Sequence, residues 1–140
     1  MDQEIAARFK AQLAHYQSLN TYFDWRTSYA FSEELYELLS LIDQLTEPKV
    51  ALELLALYFE ADQQLCELCD DSNGAVGDTY GSAGDMLLSW SRRCEDQDYV
   101  RSIFKRLLTR PNDYGVGYEV EDAAKNLFSP DEVSALKASS

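Results

Sequence analysis

Apolar residues recur along this chain in steps of three and four, the spacing that places side chains on one face of an α-helix. Ile5, Phe9, Leu13 and Tyr16 trace a first face, and Phe31, Leu35, Leu38, Ile42 and Leu45 a second. Val50, Leu54, Leu57, Ala61, Leu65 and Leu68 trace a third. A fourth helix is expected over 76–93, carrying Tyr80, Met86, Leu87 and Trp90. A fifth carries Val100, Ile103, Phe104, Leu107 and Leu108, and two shorter ones are expected over 118–127 and 131–138. No stretch keeps the period of two that a half-buried strand needs.

The breaks between these segments have their own chemistry. Thr46-Glu47-Pro48 suits a helix start, with a hydroxyl N-cap, an acid in the first turn and a proline where no amide donor is required. Ser129-Pro130-Asp131-Glu132 predicts a capping box, in which Ser129 accepts from the Glu132 amide and Glu132 reaches back. Ser72-Asn73-Gly74 and the segment 110–115 read as loops. Consecutive helices on short loops are expected to pack as antiparallel hairpins. The predicted fold is therefore all-α, a compact bundle or short α-solenoid, forming one domain over 1–140. No repeat of fixed period is visible in the letters.

Apolar residues make up 46% of the 140, enough for a buried core and too many for a disordered acidic tail. The opening ten residues carry two acids and no apolar core of signal-peptide length. No apolar run approaches the roughly 20 residues of a membrane span. Cys66, Cys69 and Cys94 are too few for a disulfide scaffold. A cytoplasmic protein with free thiols is expected.

Charge sharpens this picture because it is unevenly spread. Twenty-five acids against 12 bases give a net −13, which disfavours direct contact with nucleic acid or anionic membrane. Residues 21–90 hold 14 acids against Arg26 and Lys49, whereas residues 91–110 hold six bases against three acids. Glu33, Glu34 and Glu37 lie off the apolar seam of the second helix. Glu53, Glu60 and Glu67 recur every seven residues and predict a solvent-facing stripe on the third. Such a surface keeps a protein soluble, or docks a basic protein. The basic helix, with Arg101, Lys105 and Arg92 opposite its apolar face, is expected to make salt bridges to acidic neighbours.

Candidate chemistry is sparse. Cys66-Glu67-Leu68-Cys69 is a C-x-x-C, but Cys94 and the single histidine, His15, do not complete a zinc set at suitable spacing. Cys66 and Cys69 share the apolar side with Leu65 and Leu68, which predicts buried thiols. His15 has no second histidine, so no nucleophile–base pair can be argued. The stretch 70–78, with Asp70, Asp71 and Asp78 around Gly74, resembles a calcium loop superficially. It fails because Cys69 and Tyr80 fall where ligands are needed. A helix-to-helix turn is the expected role, with a carboxylate cation site as the alternative. Gly77, Gly81 and Gly84 recur through the next helix and predict a close helix approach or a mobile segment.

Three segments together carry a family resemblance: Tyr22-Phe23-Asp24-Trp25-Arg26 with the helix that follows, the 70–78 loop and its helix, and Asn112-Asp113-Tyr114-Gly115-Val116 with the helices after it. In order and spacing they resemble a bacterial helical domain of unknown function found C-terminal in SWIM-type zinc-finger proteins. The resemblance implies right-handed helical hairpins in the manner of short α-solenoids, and no catalytic residue. This chain lacks the SWIM zinc ligands and concentrates its acids in the middle, so such a stand-alone version is expected to act through its surface.

The leading functional expectation is a non-enzymatic module, without cofactor or metal, that docks a basic partner. The residues named for that contact are Glu33, Glu37, Glu53, Glu60, Glu67, Asp70, Asp71 and Asp78. The partner could itself be a nucleic-acid-binding complex, and small acidic helical proteins of this kind include phage- and plasmid-borne inhibitors such as anti-CRISPR proteins. A self-assembling helical scaffold using Tyr22, Phe23 and Trp25 is the alternative, unless those aromatics, with Tyr29, belong to the core.

Overall fold

The helical faces read from the letters become the interior of the protein. The computed structural model describes residues 1–69, 74–110 and 117–138. Among the described residues eight α-helices follow one another: α1 (Asp2–Gln17), α2 (Ser28–Ser40), α3 (Pro48–Glu60), α4 (Asp62–Glu67), α5 (Ala75–Arg93), α6 (Gln97–Leu108), α7 (Gly117–Leu127) and α8 (Pro130–Lys137). A 3₁₀ turn, Ile42–Gln44, extends α2. The only strand-like feature among them is an isolated bridge between Phe23 and Cys69. The all-α expectation holds.

The longest helix, α5, is the hub. It packs most extensively on α7, then on α2 and α3, while α3 also meets α6 and α1. Next-but-one neighbours thus carry much of the packing, alongside the sequential pair α6 and α7. Phe9, Phe31, Leu35, Leu52, Leu55, Tyr58, Tyr80, Leu87 and Phe104 belong to one continuous buried cluster. Inside it, Tyr58 and Tyr80 stack with ring centroids 4.6 Å apart. The Tyr80 hydroxyl donates to the Tyr58 carbonyl at 3.0 Å, and the Tyr58 hydroxyl lies 2.5 Å from Thr79 Oγ1. These bonds satisfy phenols whose burial raises both well above the ordinary tyrosine range.

Gly81 and Gly84 lie where α7 approaches α5. A Cβ on Gly84 would come within 3.2 Å of Glu119 Cβ, so the expected close approach is present there.

Three local expectations are corrected. The third segment is two helices, because Arg110 donates to the carbonyls of Phe59 (2.9 Å) and Glu60 (3.3 Å) and to Asp62 Oδ1 (3.0 Å). The Gln63 amide turns to Asp62 Oδ1 at 2.7 Å instead of continuing the ladder, so α3 ends and α4 begins around Ala61. Thr46 does not cap α3; Glu47 holds that position in extended backbone. The Asp2 carboxylate of α1 accepts instead from the Thr46 amide (3.2 Å), the Thr46 hydroxyl (3.1 Å) and the Glu47 amide (2.8 Å). Ser129 does accept from the Glu132 amide at 3.2 Å, but the Glu132 side chain pairs with Arg101 rather than reaching back.

Candidate functional site

Among the described residues, two groups of acids stand out once the helices are packed. The first is neutralised. Arg106 on α6 donates from Nη1 to Glu53 Oε2 at 2.8 Å and from Nε to Glu60 Oε2 at 2.9 Å, and its Nη2 also meets Glu60. Its hydrogen bonds to these two carboxylates, that to Glu60 foremost, hold the guanidinium above its usual range. Arg110 pairs with the buried Asp62, Arg101 with Glu132, and Lys49 with Asp96 at 2.8 Å. Of the three cations expected to meet acidic neighbours, Arg101 does so; Arg92 falls in the last turn of α5, and neither it nor Lys105 has an ion pair among the described residues, so the matching of α3 and α4 falls to Arg106 and Arg110.

The second group lies on α2 and α5. No Lys, Arg or His falls between 27 and 48 or between 74 and 91. On the outward face of α2, Tyr29, Glu33, Tyr36 and Ser40, followed by Asp43, step by four, three, four and three, and all are exposed. α5 presents Asp78, Ser82, Asp85 and Ser89 at the same kind of spacing. Where the two helices meet, Tyr36, Leu39, Ser40 and Asp43 face Ser82, Asp85 and Met86 across an open groove of about 340 Å³. Leu39 is buried and Met86 half-buried, so the lining combines apolar surface with two carboxylates. Among the described residues, no ion pair involves Glu33, Asp43 or Asp85.

The acids singled out from the sequence are scattered by this packing. Glu33 stands on the outward face of α2. Glu37 turns the other way, into a groove of about 250 Å³ that it shares with Arg8, Gln12, Tyr16, Glu34, Leu38 and Leu41. There burial, aided by Glu34 and Glu37, raises the Tyr16 phenol. The predicted solvent-facing stripe on the third helix is revised: Glu53 and Glu60 are half-buried against Arg106, and the break near Ala61 puts Glu67 on α4. Glu67 stays exposed and accepts from Gln63 Nε2 at 3.3 Å. Asp78 is exposed in the first turn of α5, while Asp70 and Asp71 lie outside the described residues. Sequence reading missed Tyr36, Asp43 and Asp85. Their only signal was the seven-residue spacing of Tyr36 to Asp43 and of Asp78 to Asp85.

The aromatic segment divides. Phe23 stacks on Phe31 at 4.7 Å and donates its amide to the Leu68 carbonyl at 2.7 Å, so it is tied to the core. Tyr22, Trp25 and Tyr29 are exposed, with the Arg26 guanidinium 5.0 Å from the Trp25 ring centroid. All three cysteines are buried and none forms a disulfide among the described residues; the burial of Cys66 and Cys69 is what their apolar spacing predicted. His15 is exposed. Among the described residues, no group of three or more His, Cys, Asp or Glu side chains is placed to hold a metal ion. Among them, too, no helix is long and apolar enough to cross a membrane.

Fold and surface together define an all-α domain built around α5, with an acidic and aromatic groove on one side and internally matched ion pairs on another. Residues 2–139 match the family of unknown function DUF6880, and the chain belongs to that family. No curated protein and no solved structure matches it.

Proposed function

We propose that this protein is a non-enzymatic interaction module that docks a basic protein through the α2–α5 side. The observation that supports this is the contrast in ion pairing. The acids of α3 have cations from α6, whereas Glu33, Asp43 and Asp85 stand on a surface with no basic residue of its own. Exposed like charges cost a few tenths of a kcal/mol per close pair, and a cationic partner would relieve that cost. In a finer form of the proposal, the partner is a nucleic-acid-binding complex and the protein a mobile-element-borne inhibitor of the anti-CRISPR kind. Carboxylates on helices can occupy a site built for phosphates. Kinship with the helical half of SWIM-type zinc-finger proteins belongs to the same proposal.

The test is affinity capture from the native host at low and high salt. Capture of a basic protein complex is expected. It should weaken as salt screens the contact, and be lost with Glu33→Lys, Asp43→Lys and Asp85→Lys together. Capture that is unchanged by salt or by these reversals removes the electrostatic reading. Self-assembly is the second reading, favoured by the exposure of Tyr22 (65%), Trp25 (55%) and Tyr29 (53%) within eight residues of chain.

A further inference from the structure

We propose that the α2–α5 groove receives an arginine-bearing face of a basic amphipathic helix. The guanidinium would meet Asp43 and Asp85 beside the Tyr36 ring, and an apolar side chain would seat on Met86, above the buried Leu39. This inference rests on the docking reading above and names its occupant.

Three features select that occupant. The charge is one-sided: both carboxylates lie in the groove, and neither lining helix has a basic residue there with which to neutralise them. The lining is mixed, with Tyr36, Leu39 and Met86 beside the acids, which suits a side chain that is apolar along its stem and cationic at its tip. Arginine fits better than lysine, because its planar fork of donors can serve carboxylates from two helices while stacking on an aromatic face. The backbone geometry selects a helix. A peptide that adds as a strand needs a sheet edge, and no sheet exists among the described residues. A furrow between two packed helices accepts the ridge of a third, and the small Ser40 and Ser82 leave room for it. The groove is also too open to enclose a small ligand, since such sites bury most of their ligand's surface.

The test uses the full chain, ¹⁵N-labelled, titrated at low salt with a synthetic amphipathic helix carrying arginines on one face and leucines on the other. Lysine-for-arginine and glutamine-for-arginine versions serve as comparisons. The expected result is that amide shifts cluster on Tyr36, Ser40, Asp43, Ser82, Asp85 and Met86. The arginine peptide should bind several-fold tighter than the lysine peptide, and the glutamine peptide should not bind. Asp43→Asn with Asp85→Asn should weaken binding at least tenfold with the helical circular dichroism unchanged. Ser82→Trp, which fills the groove and keeps both acids, should abolish binding. Shifts confined to the Arg8–Leu41 groove overturn this placement while leaving the acidic-docking reading intact. Equal affinity for the lysine peptide overturns the choice of arginine. A dimer in sedimentation that buries Tyr36 and Met86 overturns it in favour of a second copy. No binding of either cationic peptide overturns both readings.

Discussion

Gly81 and Gly84 sit one turn apart on α5, yet the same substitution should act differently at each. A methyl group at Gly81 would meet only the carboxylate end of Glu119, at 3.7 Å, and that end can swing away. A methyl group at Gly84 would meet Glu119 Cβ at 3.2 Å and its carbonyl oxygen at 3.5 Å, atoms fixed to the α7 backbone. Replacing a helical glycine by alanine is worth about 0.5–1 kcal/mol when nothing obstructs it. Gly81→Ala is therefore expected to stabilise by about that amount in urea denaturation. Gly84→Ala should forfeit the gain, and Gly84→Leu should destabilise by about 2 kcal/mol or more, through overpacking. Equal stabilisation by both alanines would show that α7 lies farther off. At this scale the sequence did signal a close approach, through glycine spacing. It could not single out Gly84, because the obstructing atoms belong to Glu119, on another helix.

Between elements, the α3–α6 contact turns on Arg106. Its guanidinium serves Glu53 and Glu60 at once, and its side chain is one-third exposed (33%), so solvent screens the pairing only in part. Arg106→Met removes charge-assisted bonds and leaves two carboxylates unpaired on one face of α3, at an expected cost of about 1–2 kcal/mol. Adding Glu53→Gln and Glu60→Gln should recover part of that loss, a coupling readable in a double-mutant cycle. Arg101→Ala, at a more exposed pair, should cost under about 1 kcal/mol. An Arg106 variant as stable as the parent would mean that the acids of α3 are open to a partner after all. The seven-residue spacing of Glu53 and Glu60 was plain in the letters. Their counterion was not, because it arrives from 53 and 46 residues away.

For the whole molecule, charge sets opposing trends with pH. The Asp2 carboxyl is held below the usual carboxylate range chiefly by the Glu47 amide, Asp96 by Lys49 and Glu121 by Lys137. A carboxyl with a lower pKa in the folded state binds its proton more readily when unfolded. Its contribution is thus present above the unfolded pKa and is lost as pH falls through the folded one. Protonation of the other carboxylates meanwhile relieves the net −13. Thermal stability is expected to change little or rise slightly from pH 7 toward about 5, then fall below about 4. Asp2→Ala should lower Tm at neutral pH, and the difference should shrink toward zero as pH falls through the carboxylate range. A parent Tm that climbs steadily through that range in calorimetry would show that these carboxylates are not held by the fold.

By itself the sequence determined the helices, their buried faces and the sign of the surface. Periodicity and charge are properties of neighbouring residues, so they survive without knowledge of the fold. Only the tertiary structure decided which acids are already matched. Arg106 and Arg110 reach α3 and α4 from the far side of α5 in the chain, ending one helix at Ala61 and neutralising Glu53, Glu60 and Asp62. The same packing brought Tyr36 and Asp43 against Asp85 and Met86. An unmatched acidic groove arises from how helices distant in sequence come together, and no single helix's pattern contains it.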